Sequence, residues 1–272
     1  MKSLFGLAGK RIMVIGGGQG MGEATARLLA SLGCSVAVLD LELERAQRVA
    51  AACRAHDVSA VPFGVDVTDD DALVATIARV EHEFGALDGM ATIVGMAAWS
   101  PIVEMTTETW DLDHKRNLRY FFLAAREVAK RLLARQAPGS LVCVASVDGI
   151  VSAPYHASYG AAKAGLINLV KTMAFEWSGR GIRINAVAPG GIVTPRIPFG
   201  GDKERESMAG LPMGRRGTVD DIAKAAAFFL SDLSPYVTGQ TLAVDGGYVG
   251  TGIFSRKPPD VAPGGTMGMD KR

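Results

Sequence analysis

Residues Arg11–Gly33 read RIMVIGGGQGMGEATARLLASLG, and the order of residue types here decides the fold. A short apolar run predicts a buried strand over Arg11–Ile15, glycines follow at once, and a helical pattern continues from Gly22 to Leu32. Ala24, Leu28 and Leu32 recur at helical spacing, and Gly33 stands where a helix-ending glycine belongs. The strict G-x-G-x-x-G pattern fails in every frame; Gly16-x-x-x-Gly20-x-Gly22 takes its place. Glycines between strand and helix allow a tight turn and let the backbone approach a pyrophosphate on the helix N-terminus. The expected phosphate-holding residues are Gly16, Gln19, Gly20, Met21 and Gly22.

The same alternation fills the chain on both sides. Further strands are predicted at Ser35–Leu39, Ala60–Val65, Leu87–Val94, Ser140–Ala145, Arg183–Val187 and Thr241–Val244. Several are nearly continuous in Val, Ile, Leu and Ala, as in parallel strands buried on both faces. Helical patterns occupy Leu43–His56, Asp69–Phe84, Glu108–Arg135, Tyr159–Ser178 and Val219–Ser231, and Thr68 with Asp71 reads as a capping box. The expected fold is α/β: a single doubly wound parallel sheet of about seven strands with helices on both faces, Rossmann-like. One domain covers 1–254, and 255–272, rich in proline and glycine, reads as an extended C-terminal tail. Thr194–Met213 is a long irregular stretch, and loops of that length usually have a function.

Composition removes other classes. Among 272 residues, Lys+Arg number 29 and Asp+Glu 28, a balance without the basic excess that nucleic acid or an acidic membrane surface would need. No apolar run is long enough to span a membrane, and the apolar stretch in the opening MKSLFGLAGKR is too short for the core of a signal peptide. Cys34, Cys53 and Cys143 form no C-x-x-C pair, which fits a reducing cytoplasm. His56, His82, His114 and His156 are scattered without carboxylate partners at ligand spacing, so no metal site is expected.

Asp40 ends the second strand, 18 residues after Gly22. An acid there accepts hydrogen bonds from the adenosine ribose and repels a 2′-phosphate. Leu41 follows it, and no neighbouring Arg or Lys offers to bind such a phosphate, so NAD is expected over NADP. Asp66, with Val67, ends the third strand; its carboxylate either accepts from the adenine amino group or opens the following helix.

Tyr159 and Lys163 lie four residues apart on a predicted helix and so share a face. An ammonium beside a phenol favours the phenolate, and a tyrosine so tuned can take a proton from an alcohol as hydride leaves its carbon. Ser146 ends the fifth strand and can bring its hydroxyl to the same oxygen, and Asn117 lies in the preceding helix.

Together these residues resemble the short-chain dehydrogenase/reductase family. The resemblance runs from about Leu7 to Tyr248. It is carried by GGGQGMG, DVTD at Asp66–Asp69, Asn117 in RNLRYFF, Ser146 in VASVDG, YGAAK, RINAVAPGGIVTP at Arg183–Pro195, and TGQTLAVDGG at Thr238–Gly247. It implies Tyr159 as general base or acid and Ser146 on the substrate oxygen. Lys163 would hold the nicotinamide ribose and lower the tyrosine's pKa, and Asn117 would position a water relay. It further implies cofactor contacts from Pro189, Gly190, Ile192 and Thr194, and a homotetramer built through the long helices. One departure stands out. Thr92-Ile93-Val94-Gly95 replaces the family's Asn-Asn-Ala-Gly, keeping Gly95 for backbone approach but losing the asparagines that tie neighbouring strands; Ile93, Val94 and Gly95 remain expected cofactor neighbours.

The expected chemistry is interconversion of a secondary alcohol and a ketone with NAD(H). The apolar start of the loop, Ile197–Phe199, points to a hydrophobic substrate under a lid. Candidate substrate-lining residues are Ser146, Asp148, Trp99, His156 and Gly191. For three of them a plainer role stands beside this one: Asp148 solvating a loop, Trp99 in a core or interface, His156 capping a helix. The rivals are a 3-oxoacyl thioester reductase, a role that usually goes with NADPH, and a silent nucleotide-holding protein on the same fold. A serine hydrolase lacks its G-x-S-x-G elbow around Ser146.

Overall fold

A computed structural model describes residues 2–195 and 211–250. In chain order the elements are α1 (Lys2–Phe5), β1 (Arg11–Ile15), α2 (Gly20–Ser31), β2 (Ser35–Asp40), α3 (Leu43–Arg54), β3 (Ala60–Gly64) and α4 (Asp70–Phe84). Then come β4 (Gly89–Thr92), α5 (Thr107–His114), a π-helical turn (Lys115–Arg119), α6 (Tyr120–Ala134), β5 (Gly139–Val144), α7 (Ala157–Trp177), β6 (Ile182–Pro189), α8 (Val219–Leu230) and β7 (Thr241–Val244). The seven strands form one parallel sheet in the order β3-β2-β1-β4-β5-β6-β7. The order reverses between β1 and β4, and the crevice beyond their carboxyl ends is where such sheets bind ligands.

Each face of the sheet has its own core. Met13, Ile15, Leu39 and Met90 pack with Leu73 and Ile77 of α4, Phe121 and Leu132 of α6, and Leu166 and Val170 of α7. On the other face, Ile12, Val14, Val36 and Val38 pack with Ala26 and Leu29 of α2, Val49 of α3, and Ile222 and Phe229 of α8. Burying each large side chain contributes roughly 1.5–3 kcal/mol, which fixes the strands that carry the site.

The differences from the sequence expectation have physical causes. The buried face of α2 is Gly22, Thr25, Ala26, Leu29 and Ala30, one residue round from the Ala24–Leu28–Leu32 stripe, while Leu28 and Leu32 pack only at its margin. Gly33 does close that helix, at φ 92°. The cap of α4 is Asp69, whose carboxylate accepts from the Ala72 amide at 3.0 Å. Thr68 is not a cap; its hydroxyl and amide both donate to Asp66 at 2.8 Å. Strand β4 stops at Thr92, short of Val94, because side chains take the Val94 carbonyl: Tyr120 Oη donates at 3.2 Å and Lys163 Nζ at 3.4 Å. The helix expected over Glu108–Arg135 is interrupted by the π-turn. Ile197, Pro198 and Phe199, expected to form a lid, and the 255–272 tail lie outside the described residues.

Candidate active site

The glycine turn is assembled by backbone. The amides of Gly16 and Gly17 donate to the Leu39 carbonyl at 2.8 and 2.9 Å, so the turn leans on β2. Gly22 packs so tightly that a Cβ there would sit 1.8 Å from the Gly16 carbonyl oxygen. Gly16 has φ 79°, and a side chain would also meet Val94 and the Ile93 carbonyl at 3.0–3.1 Å. At Gly20, φ 57°, the nearest atoms are Pro195 and Thr194 at 3.8–3.9 Å, which leaves an open shelf at the start of α2. Gln19 and Met21 flank that shelf in sequence, and Met21 also packs against the core. Such a shelf, at a helix start with its free amides, fits the pyrophosphate of a nicotinamide dinucleotide.

The segment after β6 roofs the shelf. Pro189 ends the strand, the Gly190 amide donates to Val244 at 3.1 Å, and Gly191 lies against Arg216. Ile192 is pinned by a bridge to Gly217, which brings Thr194 over Gly20.

Asp40 sits where the sequence puts it. Its carboxylate accepts from the Gly18 amide at 2.8 Å and from the Glu42 amide at 3.2 Å, while Leu41 beside it is exposed. The expectation of no neighbouring cation needs correction. One helical turn of α3 brings Arg45 against Gly18, and Arg48 donates to the Gly18 carbonyl at 2.9 Å. Arg48 is already occupied, since Glu23 takes both its terminal nitrogens at 2.8 and 2.7 Å. Asp66 Oδ1 accepts from both the Thr68 amide and the Thr68 hydroxyl before α4, and Val67 is buried.

On the other side of the crevice, Ser146, Tyr159, Lys163 and Asn117 come together. Tyr159 is partly open and accepts the influence of the Ser146 hydroxyl through a hydrogen bond. Lys163 is 1 % exposed, with Nζ 5.5 Å from the Tyr159 ring centroid and donating to the Val144 carbonyl at 2.9 Å. Gly95 lies between: a Cβ there would be 3.3 Å from Lys163 Nζ and 3.4 Å from Asn117 Oδ1. Asn117 is buried in the π-turn. Its Nδ2 donates to Met96 O and Asp113 O, both at 2.9 Å, and its Oδ1 accepts from the Met96 amide at 3.3 Å.

Electrostatics depart from the sequence argument. Desolvation pushes the Tyr159 phenol up to about 12, helped by the charges of Asp148 and Asp113 and opposed by the Ser146 hydrogen bond. Lys163 does not lower it here, because burial brings the lysine itself down to about 8 and its ammonium is directed at backbone carbonyls. Cys143, in the adjoining strand, is buried, and desolvation holds its thiol far above the usual range, so it is inert.

The substrate side carries groups that only the tertiary structure joins. His156 Nδ1 lies 3.2 Å from Asp148 Oδ2, a carboxylate partner the sequence did not reveal. Trp99 is not in the core: it is 74 % exposed and sets its ring edge-on against His156. Asp113 was missed altogether. Fully buried one turn before Asn117, it accepts from Ser158 Oγ at 2.5 Å, pairs with Arg116 and takes the Ala98 amide at 3.3 Å. An aspartate on an otherwise polar stretch, WDLDHKRN, gives no periodic signal of burial. Tyr120 was missed too; with Asn117 it ties the β4 exit that the lost asparagines would have held. No cluster of potential metal ligands occurs among the described residues, and none of their helices is long and apolar enough to cross a membrane.

Comparison with known proteins agrees with this geometry. A family model described as enoyl-(acyl carrier protein) reductase matches residues 16–249. The chain is 37 % identical over 243 residues to 2-(S)-hydroxypropyl-CoM dehydrogenase 3 of Xanthobacter autotrophicus, covering 87 % of this chain and 95 % of that protein. It is 35 % identical over 244 residues to the 3-oxoacyl-[acyl-carrier-protein] reductase FabG of Thermotoga maritima, covering 89 % and 99 %. Among solved structures, NAD+-bound xylitol dehydrogenase superposes with a TM-score of 0.81 at 27 % identity, covering 88 % and 98 %. The chain therefore belongs to the short-chain dehydrogenase/reductase family, oxidoreductases that work with a nicotinamide cofactor.

Proposed function

We propose that this protein is an NAD-dependent dehydrogenase that interconverts a hydrophobic secondary alcohol and its ketone. The observation that carries the reading is the convergence of the Tyr159 phenol, the Ser146 hydroxyl and the buried Lys163 ammonium beside Gly95, across the crevice from the glycine turn. A bound nicotinamide supplies the hydride-accepting carbon. Ser146 orients the substrate oxygen and Tyr159 gives or takes its proton. Held as the neutral phenol by burial, Tyr159 is poised to donate, the direction of carbonyl reduction; oxidation needs the phenolate, which the Ser146 hydrogen bond favours and a cationic cofactor ring would favour further. Asn117 fixes the Gly95–Met96 backbone and faces Lys163, the place for a proton relay to solvent.

Asp40 favours NAD over NADP, since its carboxylate would face a 2′-phosphate and the neighbouring Arg48 is neutralised by Glu23. The exposed apolar side chains of the 96–103 loop, Met96, Trp99, Ile102 and Val103, support an apolar substrate. Similarity to a 3-oxoacyl thioester reductase favours a second reading, for which NADPH preference would be the signature. The deciding experiment measures initial rates on a panel of hydrophobic secondary alcohols with NAD and NADP, and on a 3-oxoacyl thioester with NADH and NADPH. Turnover of alcohols with NAD supports the first reading; NADPH-dependent thioester reduction alone replaces it.

The remaining readings concern context. A groove of about 430 Å³ between α6 and α7, with exposed Phe122 and with Leu118 and Leu169 in its walls, suits the pairing of long helices in a homotetramer. Three buried free thiols suit a cytoplasmic setting.

A further inference from the structure

His156 has one nitrogen assigned and one unclaimed. Nδ1 meets the Asp148 carboxylate at 3.2 Å, and because an ionised carboxylate only accepts, Nδ1 carries the proton. Nε2 is buried and has no hydrogen-bond partner among the described residues. Buried polar atoms are nearly always satisfied, and an exception calls for an explanation.

Three further observations give this nitrogen a purpose. The His156 ring stands 6.1 Å from the Tyr159 ring, centroid to centroid, at 77°. Its cover is Trp99, which is 74 % exposed and therefore loses little burial by swinging aside. The residue before it, Tyr155, is held at φ 63°, a strained conformation for a bulky side chain, and its carbonyl accepts from the Ser100 amide at 2.9 Å. The backbone is thus bent to present the imidazole, and the loop carrying Trp99 is fastened to the same bend.

We propose that His156, oriented by Asp148 and shielded by Trp99, is a second recognition point that takes a hydroxyl on a carbon adjacent to the reacting one. The substrate class is then an apolar diol or hydroxyketone. A hydroxyl both donates and accepts, so it satisfies Nε2 whether the imidazole is neutral or charged. The inference deepens the dehydrogenase reading and rests on Tyr159 marking the reacting oxygen.

The test compares cyclohexanol with 1,2-cyclohexanediol. Calorimetric binding is measured on the full chain with NAD, in the Tyr159→Phe background so that turnover does not intervene; NADH formation is measured on the wild type. A site built to bond a hydroxyl discriminates strongly against its absence, so the diol is expected to bind about tenfold or more tightly than the monoalcohol. Adding His156→Leu should bring the two within about twofold, and Asp148→Asn, which leaves the imidazole in place but less firmly oriented, should remove part of the advantage. Equal binding of the two alcohols, undetectable binding of both included, overturns the proposal. So does a diol advantage that survives His156→Leu; should that variant not fold, survival of the full advantage in Asp148→Asn decides the same way. A diol advantage in binding without NADH from either alcohol keeps this site and removes the dehydrogenase reading. NADH from both with equal binding does the reverse.

Discussion

At the glycine turn, most contacts that shape the site are made by backbone, Gly16 and Gly17 on Leu39, Gly22 against Gly16, Gly190 on Val244, with Gly18 alone held by the side chains of Asp40 and Arg48. Across the crevice the shaping contacts are made by side chains from distant segments: Asn117 on Met96, Lys163 on Val144, Ser158 on Asp113, His156 on Asp148. The first region holds a ligand by absence, keeping side chains out of its way. The second works through side chains, and in two of them, Tyr159 and Lys163, burial sets the protonation. Binding and chemistry should therefore fail separately when each region is damaged.

The largest expected effect breaks chemistry alone. Tyr159→Phe should lower kcat by about 10²–10⁴, the weight of a general acid–base group, while NADH binding and Tm stay near wild type. If Tm falls steeply instead, the phenol is a structural strut and the separation fails. The converse lesion is Gly22→Ala, whose methyl would sit 1.8 Å from the Gly16 oxygen. Displacing α2 should cost about 1–3 kcal/mol of stability and weaken NADH binding, read by thermal melts and fluorescence titration. Unchanged binding there would show that the turn is not the phosphate shelf.

A third test concerns charge buried at the chemical end. Folded Lys163 titrates at about 8 against an ordinary 10.5, so between those values the unfolded chain binds more protons. Its contribution to stability therefore rises with pH from about 8 to 10.5 and is least favourable below 8. Wild-type Tm should gain on Lys163→Met over that window by on the order of 5 °C. Tyr159 has the opposite sign: raised from 10 to about 12, it withdraws stability as pH climbs through that range. A Tm difference between wild type and Lys163→Met that does not vary with pH would mean the lysine is not desolvated. The smallest effect is a control at the start of α4: Asp69→Ala should cost about 1 kcal/mol as the true cap of that helix, and Thr68→Ala within about 0.5 kcal/mol.

The same contrast explains what could be read from the sequence. Glycine turns, apolar strands and the Tyr159–Lys163 spacing are local, so the sheet, its flanking helices and the candidate catalytic residues were legible. Asp40 was legible because it closes a strand. Arg45 and Arg48 were not, since only the turn of α3 brings them back to Gly18. The Asp148–His156 and Asp113–Ser158 pairs join residues 8 and 45 positions apart, and no periodicity records such a meeting. The sign of the Tyr159 shift was also hidden, because a neighbouring cation is visible in a sequence whereas the dryness of its surroundings is not.

The π-turn at Lys115–Arg119 has its own consequence. Widening the helix by one residue frees a backbone carbonyl, and the Asn117 amide occupies the Asp113 oxygen at 2.9 Å. That extra residue also sets the azimuth of everything after it. Remove any one of the five, and a regular helix would rotate Tyr120 and Phe121 by about a hundred degrees relative to α5, out of their fit beneath β4. Chain length at this single point acts as a dial, and a shortened protein would be out of register with its own sheet.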